Sequence, residues 1–326
     1  MSDITHTNFA RSFESDKYRN PLISIIVTHY NYSHFIEESL LSIIAQTYMN
    51  WECVVIDDCS DSAHRDEVEK IIDKIGSKKI QILSTDKNVG QTLAFFRAFE
   101  FTSGEFVCVL DPDDRYMPTF LAEMLKAHLN ATIICPLLCC DQILLKNDSV
   151  ISGLNTYHKL RFMKWIDGIA QVPENAFEGL LFIPANMPGW HWSATSGMMV
   201  RRSAVNYTKP FRALACLNSL DSYLMQGLHL LGGTLFLTKP LVYRGLHDAN
   251  DWLTSAIYST NQHHGRPNRK NDTPEHLLDV MDAIRHNGGG EQLDRNMNNE
   301  SEKRGPTTAI QRWRRSIKKR WKRIIG

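Results

Sequence analysis

No run of apolar residues in this 326-residue sequence is long enough to cross a bilayer. The longest, Ala131 to Leu145, is broken by Pro136 and Asp141, whereas a spanning helix needs about 20 apolar residues. The first twenty residues are polar and hold no apolar h-region, so they do not read as a secretory leader. Seven cysteines are an odd number, and no two Cys/His pairs have the spacing of a zinc site. Cys53, Cys108, Cys135, Cys139 and Cys140 lie in apolar, strand-like runs. They predict buried, reduced thiols and a cytoplasmic chain, not a disulfide framework. No Gly-x-Gly-x-x-Gly turn follows the first strand-like run, which disfavours a dinucleotide oxidoreductase. A nucleotidyltransferase is disfavoured too, because no glycine-rich phosphate loop stands near the start. There is no internal repeat.

Hydrophobic content of 43% and charged content of 22% are those of an ordinary globular chain with a sizeable core. Net charge is only +1, but it is unevenly spread. Arg312, Arg314, Arg315, Lys318, Lys319, Arg320, Lys322 and Arg323 crowd into 309–326 with no acid among them. The rest of the chain is therefore mildly acidic, and the tail alone seeks an anionic surface. Ile310, Trp313, Ile317, Trp321 and Ile324 recur at helical spacing, so 309–326 reads as a basic amphipathic helix suited to an anionic membrane interface. Docking on the acidic body, or nonspecific binding of nucleic acid, remain open for this tail; no specific nucleic-acid site is expected.

Strand-like and helical runs alternate from Pro21 onward. Strands are expected at Ile23–Thr28, Cys53–Ile56, Ile80–Leu83 and Glu105–Leu110, with helices over Phe35–Ala45, Asp66–Ile75 and Gln91–Phe101. This interleaving predicts an α/β fold, a doubly wound, mostly parallel sheet. The second half, 131–258, is less regular, with strand candidates at Ala131–Cys139, Gly197–Arg201 and Thr234–Leu237 and a helix over Leu220–Leu231. The expected organisation is a polar tail (1–20), a catalytic domain (21–258, divided near 130), a polar linker (259–308) with one short helical pattern at Glu275–Ile284, and the basic helix (309–326).

Ligands of open parallel sheets bind at the carboxyl ends of the strands. There this sequence places Thr28-His29-Tyr30-Asn31, Asp57-Asp58 and Asp111-Pro112-Asp113-Asp114. Carboxylates gathered at one rim repel unless a cation joins them, and hard oxygen ligands suit Mg²⁺ or Mn²⁺ bridging a diphosphate. The competing reading of Asp111–Asp114 is a turn with a helix cap. His29 reads equally as a packed histidine at the end of its strand.

ISIIVTHYN, SIIAQTYMNWECVVIDDCSD, NVG and SGEFVCVLDPDD, in this order and spacing, resemble the pattern of glycosyltransferase family 2. The resemblance covers Pro21 to Asp251 and is strongest over the first hundred residues. It implies a GT-A fold, with a Rossmann-like nucleotide-binding half and an acceptor half, and an inverting transfer from a nucleotide-diphosphate sugar, most commonly a uridine one. By motif position, Thr28 and Tyr30 would contact the nucleobase, Asp58 would accept a hydrogen bond from it, and Asp113 would face the ribose. Gly90 and Arg97 would belong to the same nucleotide site. Asp114, with Asp111 and His247, would bind Mn²⁺ or Mg²⁺. Asp221 matches the family's catalytic base, although Leu220 stands where many members carry Glu; an N-cap role is its alternative. Tyr243-Arg244-Gly245-Leu246-His247 resembles a Tyr-Arg-x-x-His motif in which Arg244 would neutralise phosphate. Trp190 and Trp192 offer faces for an acceptor sugar, or serve the core. The acceptor would be a glycan or lipid-linked hydroxyl, in cell-surface polysaccharide synthesis at the inner face of the membrane. The reading from another class is a non-catalytic scaffold that keeps the nucleotide-sugar pocket.

Overall fold

A computed structural model describes residues 20–146, 149–152, 179–187, 194–212, 214, 220–247 and 274–298. The first half is built on β1 (Ile23–His29), β2 (Trp51–Asp57), β3 (Ile80–Ser84) and β4 (Phe106–Leu110). All are parallel, in the order β3-β2-β1-β4. Crossover helices α1 (Ser33–Ile44), α2 (Ser62–Ile75) and α3 (Gln91–Glu100) connect them.

Strands buried on both faces need no polar alternation, and these divide their side chains between two cores. Ile23, Ile25 and Val27 join one cluster with Cys53, Val55, Phe106 and Cys108. Ile26, Val54, Ile56, Val107 and Val109 join the opposite one. Full burial of such a side chain stabilises by about 1.5–3 kcal/mol. The cysteines are buried free thiols at Cys53, Cys108, Cys135, Cys139 and Cys140.

Beyond β4 the chain adds antiparallel neighbours to the expected parallel sheet. A short β5 (Arg115–Tyr116) leads to α4 (Phe120–Asn130), then β6 (Leu137–Lys146), β7 (Ser149–Ser152), β8 (Leu180–Ile183), β9 (Met198–Arg201) and β10 (Thr234–Leu246). The strand expected at Ala131–Cys139 begins later, at Leu137, and runs on through Asp141 and Gln142 to Lys146. It tolerates those polar residues because Asp141 Oδ1 accepts the Gln142 N–H, and the Gln142 side-chain Oε1 accepts the Ala194 N–H. β9 lies antiparallel between β4 and β6, and β6 pairs in parallel with β10. β5 pairs antiparallel with β10, Tyr116 opposite Val242 and Arg115 opposite Tyr243. That pairing carries the Asp111–Asp114 turn to the end of β10.

A helical segment, α5, opens with a π-turn at Asp221–Met225 and continues over Gln226–Gly232. The linker expected over 259–308 gives way, over 274–298, to two helices: α6 (Pro274–His286) and α7 (Gly290–Asn298). Leu277, Val280, Met281, Ile284 and Leu293 enter the core beside Leu224 and Leu228. The segments 1–19, 299–326 and Trp190–Trp192 lie outside the described residues. Among those described, no helix is long and apolar enough to cross a membrane.

Candidate active site

At the carboxyl end of β1, Thr28 is 7% exposed and Tyr30 is 48% exposed, so only the tyrosine offers an open ring face. The turn between them is pinned by His29. Its Nε2 accepts the Tyr32 N–H (3.1 Å), which leaves Nδ1 to donate to Asp57 Oδ1 (2.9 Å). Ser60 N–H donates to Asp57 Oδ2 (3.2 Å). Burial opposes the Asp57 charge, but the bonds from His29 and Ser60 hold its pKa below the ordinary carboxylate value. His29 is thus a buried organiser of the β1–α1 turn.

Asp58 is 3% exposed and serves the chain itself. Oδ1 accepts from Thr85 Oγ1 and Val89 N–H, both at 2.9 Å, and Oδ2 accepts from Gly90 N–H at 2.7 Å. The residue expected to accept from the nucleobase therefore also anchors Thr85 and the Val89-Gly90 turn. Gly90 has φ +82°, a left-handed conformation that favours glycine. Arg97 does not reach the rim. It is exposed in the last turn of α3, seven residues and about 10 Å of helix rise away from Gly90.

The Asp-Pro-Asp-Asp turn divides its roles sharply. Asp114 is 2% exposed, with Oδ2 accepting from Ser196 Oγ (2.6 Å) and Oδ1 from Gly245 N–H (3.0 Å). Each oxygen accepts one hydrogen bond inside the protein, which aims the expected metal ligand between Ser196 and the end of β10. Asp113 instead faces His247, its Oδ2 lying 3.0 Å from Nε2. Phe35 stacks on the His247 ring at 4.4 Å, and Tyr32 lies at 5.6 Å. Asp111 accepts from Gln91 Nε2 (2.9 Å), and its own N–H donates to Ser196 Oγ (3.0 Å).

Electrostatics tie these groups together. Burial, then Asp114, Asp113 and Asp221, raise the Asp111 pKa well above the carboxylate range, against the attraction of Arg244. Burial and Asp113 push Asp114 up to about 7, opposed by Arg244 and by the Ser196 and Gly245 hydrogen bonds. The sensitivity of Asp111 to Asp221 brings the expected base, at the start of α5, into the same cluster. Asp221 Oδ1 accepts the Ser222 N–H (2.7 Å), and buried Leu220, Tyr223 and Leu224 fix the segment that bears it. Burial and neighbouring acids thus disfavour charge on Asp111 and Asp114, while Arg244 favours it. Among the described residues no three His, Cys, Asp or Glu side chains cage a metal by themselves. An ion held by Asp113 and His247 would complete its shell with substrate phosphate and water, as Mg²⁺ commonly does.

Two polar residues of this site escaped the sequence. Ser196, fully buried, joins Asp111 to Asp114, and Gln91 joins Asp111 to Thr28, with Nε2 3.3 Å from Thr28 Oγ1. Neither belongs to a recognised motif. Only their place beside the rim in three dimensions identifies them.

Residues 24–164 match the family model of glycosyl transferase family 2. An uncharacterized glycosyltransferase of Nostoc sp. is 25% identical over 240 residues, covering 74% of this chain and 69% of its own. The putative teichuronic acid biosynthesis glycosyltransferase TuaG of Bacillus subtilis is 32% identical over 106 residues, covering 32% of this chain and 41% of its own. The Escherichia coli UDP-Glc:alpha-D-GlcNAc-diphosphoundecaprenol beta-1,3-glucosyltransferase WfgD is 29% identical over 143 residues, covering 44% of this chain and 54% of its own. The chain thus spans about half the length of the latter two, or less. Among solved structures, S. aureus TarS 1-349 in complex with UDP-GlcNAc shares the fold with a TM-score of 0.53 at 18% identity, over 85% of this chain and 70% of that one.

Proposed function

We propose that this chain, which matches the glycosyl transferase family 2 model over residues 24–164, transfers a sugar from a nucleoside-diphosphate sugar to an acceptor hydroxyl during synthesis of a surface polysaccharide. One observation carries the reading. Asp111, Asp113, Asp221, Arg244 and His247 meet at the carboxyl rim of the sheet, where Asp111 feels the charge of both Asp113 and Asp221. A donor with a diphosphate leaving group needs positive charge there, and an acceptor hydroxyl needs a base.

Tyr30 offers its exposed ring to the nucleobase, with Thr28 beside it. Asp113 and His247 would hold Mn²⁺ or Mg²⁺, which when bound offsets charge on the departing diphosphate. Arg244 adds a fixed cation at the same place. Asp221 takes the proton of the acceptor hydroxyl as that oxygen attacks the anomeric carbon. Transfer then proceeds in one displacement with inversion, and no enzyme nucleophile is required. Preorganised charge at the leaving group is the largest contribution expected.

A uridine donor is favoured by WfgD, whose name specifies UDP-Glc, and by TarS, crystallised with UDP-GlcNAc. A lipid-linked acceptor agrees with the diphosphoundecaprenol substrate named for WfgD. It agrees also with Trp313, Trp321 and the basic residues of 309–326, a composition that binds anionic membrane surfaces. Incubation with labelled UDP-sugars and Mn²⁺ tests the reading. Turnover lost in Asp113→Asn and Asp221→Asn supports it; nucleotide binding with no turnover that either variant alters supports a non-catalytic scaffold instead.

A further inference from the structure

Gln91 opens α3, and its side chain bridges two motifs that are far apart in sequence. Nε2 donates to Asp111 Oδ1 at 2.9 Å and to Thr28 Oγ1 at 3.3 Å. One amide nitrogen thus serves both partners, and the Asp111 carboxyl and the Thr28 hydroxyl are held at a fixed separation. Ser196 Oγ holds the Asp111 main-chain N–H at 3.0 Å. Asp111 is therefore tethered through both its backbone and Oδ1, while Oδ2 makes no hydrogen bond among the described residues. Thr28 lies at the end of β1, directly before His29 and Tyr30.

We propose that Gln91 is a positioning residue for the donor nucleotide: it locks the Asp111 carboxylate and the Thr28 hydroxyl into the one arrangement that a bound nucleoside diphosphate meets. The inference rests on the nucleotide-sugar reading above and adds a residue to it. A buried side-chain hydrogen bond contributes little net but is costly to leave unmade. Without Gln91, Asp111 turns freely beside other acids, and part of the binding energy goes into ordering it again. The backbone of α3 is held independently, by Asp58 against Val89 and Gly90, so the effect belongs to the side chain.

Calorimetric titration of UDP into the full-length protein tests this, using wild type, Q91A, Q91E, D111N and the double variant Q91E/D111N, with thermal melts of each. Q91A is expected to weaken UDP about fivefold, the size of a lost hydrogen bond. Q91E is expected to weaken it further, since it adds an acid to a cluster in which Asp114, Asp113 and Asp221 already oppose charge on Asp111. In Q91E/D111N donor and acceptor exchange places, so affinity recovers above that of Q91E alone. With a turned-over UDP-sugar, the donor KM rises in Q91A while kcat changes less than about threefold, as for lost uniform binding. Two results overturn the proposal: UDP affinities of Q91A and Q91E within about twofold of wild type, or single-variant losses that multiply in the double variant to within the scatter of independent sites. If wild type binds no nucleoside diphosphate, the nucleotide reading itself fails and takes Gln91 with it, an outcome distinct from both.

Discussion

Gly245 and Asp113 approach so closely that a Cβ on the glycine would overlap the Asp113 carbonyl oxygen. The same glycine donates its N–H to Asp114 Oδ1 at 3.0 Å. The end of β10 is thereby pressed against the acidic turn, and this contact sets Arg244 and His247 beside the carboxylates. Gly245→Ala must separate the two segments, because the obstacle is backbone and not a flexible side chain. Stability should fall by about 1–3 kcal/mol, as for other overpacked sites, and turnover by more than tenfold, roughly what an ångström of misplacement costs. Urea unfolding and steady-state rates check both, and a fully active alanine variant would show the contact to be incidental.

Ser196 couples the two inner acids with one hydroxyl, accepting from Asp111 N–H and donating to Asp114. Ser196→Ala leaves a buried N–H and a buried carboxylate short of a partner. Each unsatisfied group costs about 1–3 kcal/mol, so a loss of that order is expected in chemical denaturation. A change smaller than about 0.5 kcal/mol, the range of ordinary surface substitutions, would mean that the linkage contributes nothing.

Asp58 separates an anchor from a reader of the base. As an anchor of Thr85, Val89 and Gly90, it stabilises the fold, and Asp58→Ala should lower stability by several kcal/mol while also weakening UDP. Equal melting of variant and wild type, with only UDP binding lost, would leave Asp58 the role of base acceptor alone. Differential scanning calorimetry with and without UDP makes the comparison.

Acid sensitivity should trace in part to His128. Burial, then Arg201, lowers its pKa from 6.5 to about 3, against the raising effect of its bond to the Met199 carbonyl. The unfolded chain takes up this proton near 6.5, while the folded one resists until about 3. Between those values the unfolded state binds more protons, so stability is full above 6.5 and falls as pH drops. The slope is at most about 1.4 kcal/mol per pH unit. His128→Gln keeps a donor for Met199 and removes the titration. Urea unfolding at about pH 7 and about pH 5 should show a smaller loss for the variant; equal losses would place the proton elsewhere.

The legible parts of the molecule were those whose signal is local. Ile23–His29 and Phe106–Leu110 are continuous apolar runs, and a strand buried on both faces can hardly be written otherwise. The carboxylates at their ends followed from the rule for parallel sheets. That Arg97 stands exposed at the far end of α3 from Gly90 is not visible in their sequence distance alone. The α4 helix carried its signal in Phe120, Leu121, Met124, Leu125 and His128, all buried, yet went unread beside the acidic motif. The helical pattern at Glu275–Ile284 was legible, but the polar residues around Val280, Met281, Ile284 and Leu293 hid that they enter the core. Ser196 and Gln91 were out of reach because a lone polar residue acquires meaning only from what the fold sets against it.

The central claim is that the rim cluster performs glycosyl transfer. Its most direct test is transfer or hydrolysis from a panel of UDP-sugars by the purified protein, with and without Mn²⁺, beside Asp113→Asn and Asp221→Asn. The account predicts turnover of at least one donor that depends on the metal. Asp113→Asn should lose metal dependence together with rate, and Asp221→Asn should keep UDP binding while losing transfer. Turnover that is indifferent to metal and to both substitutions would contradict it.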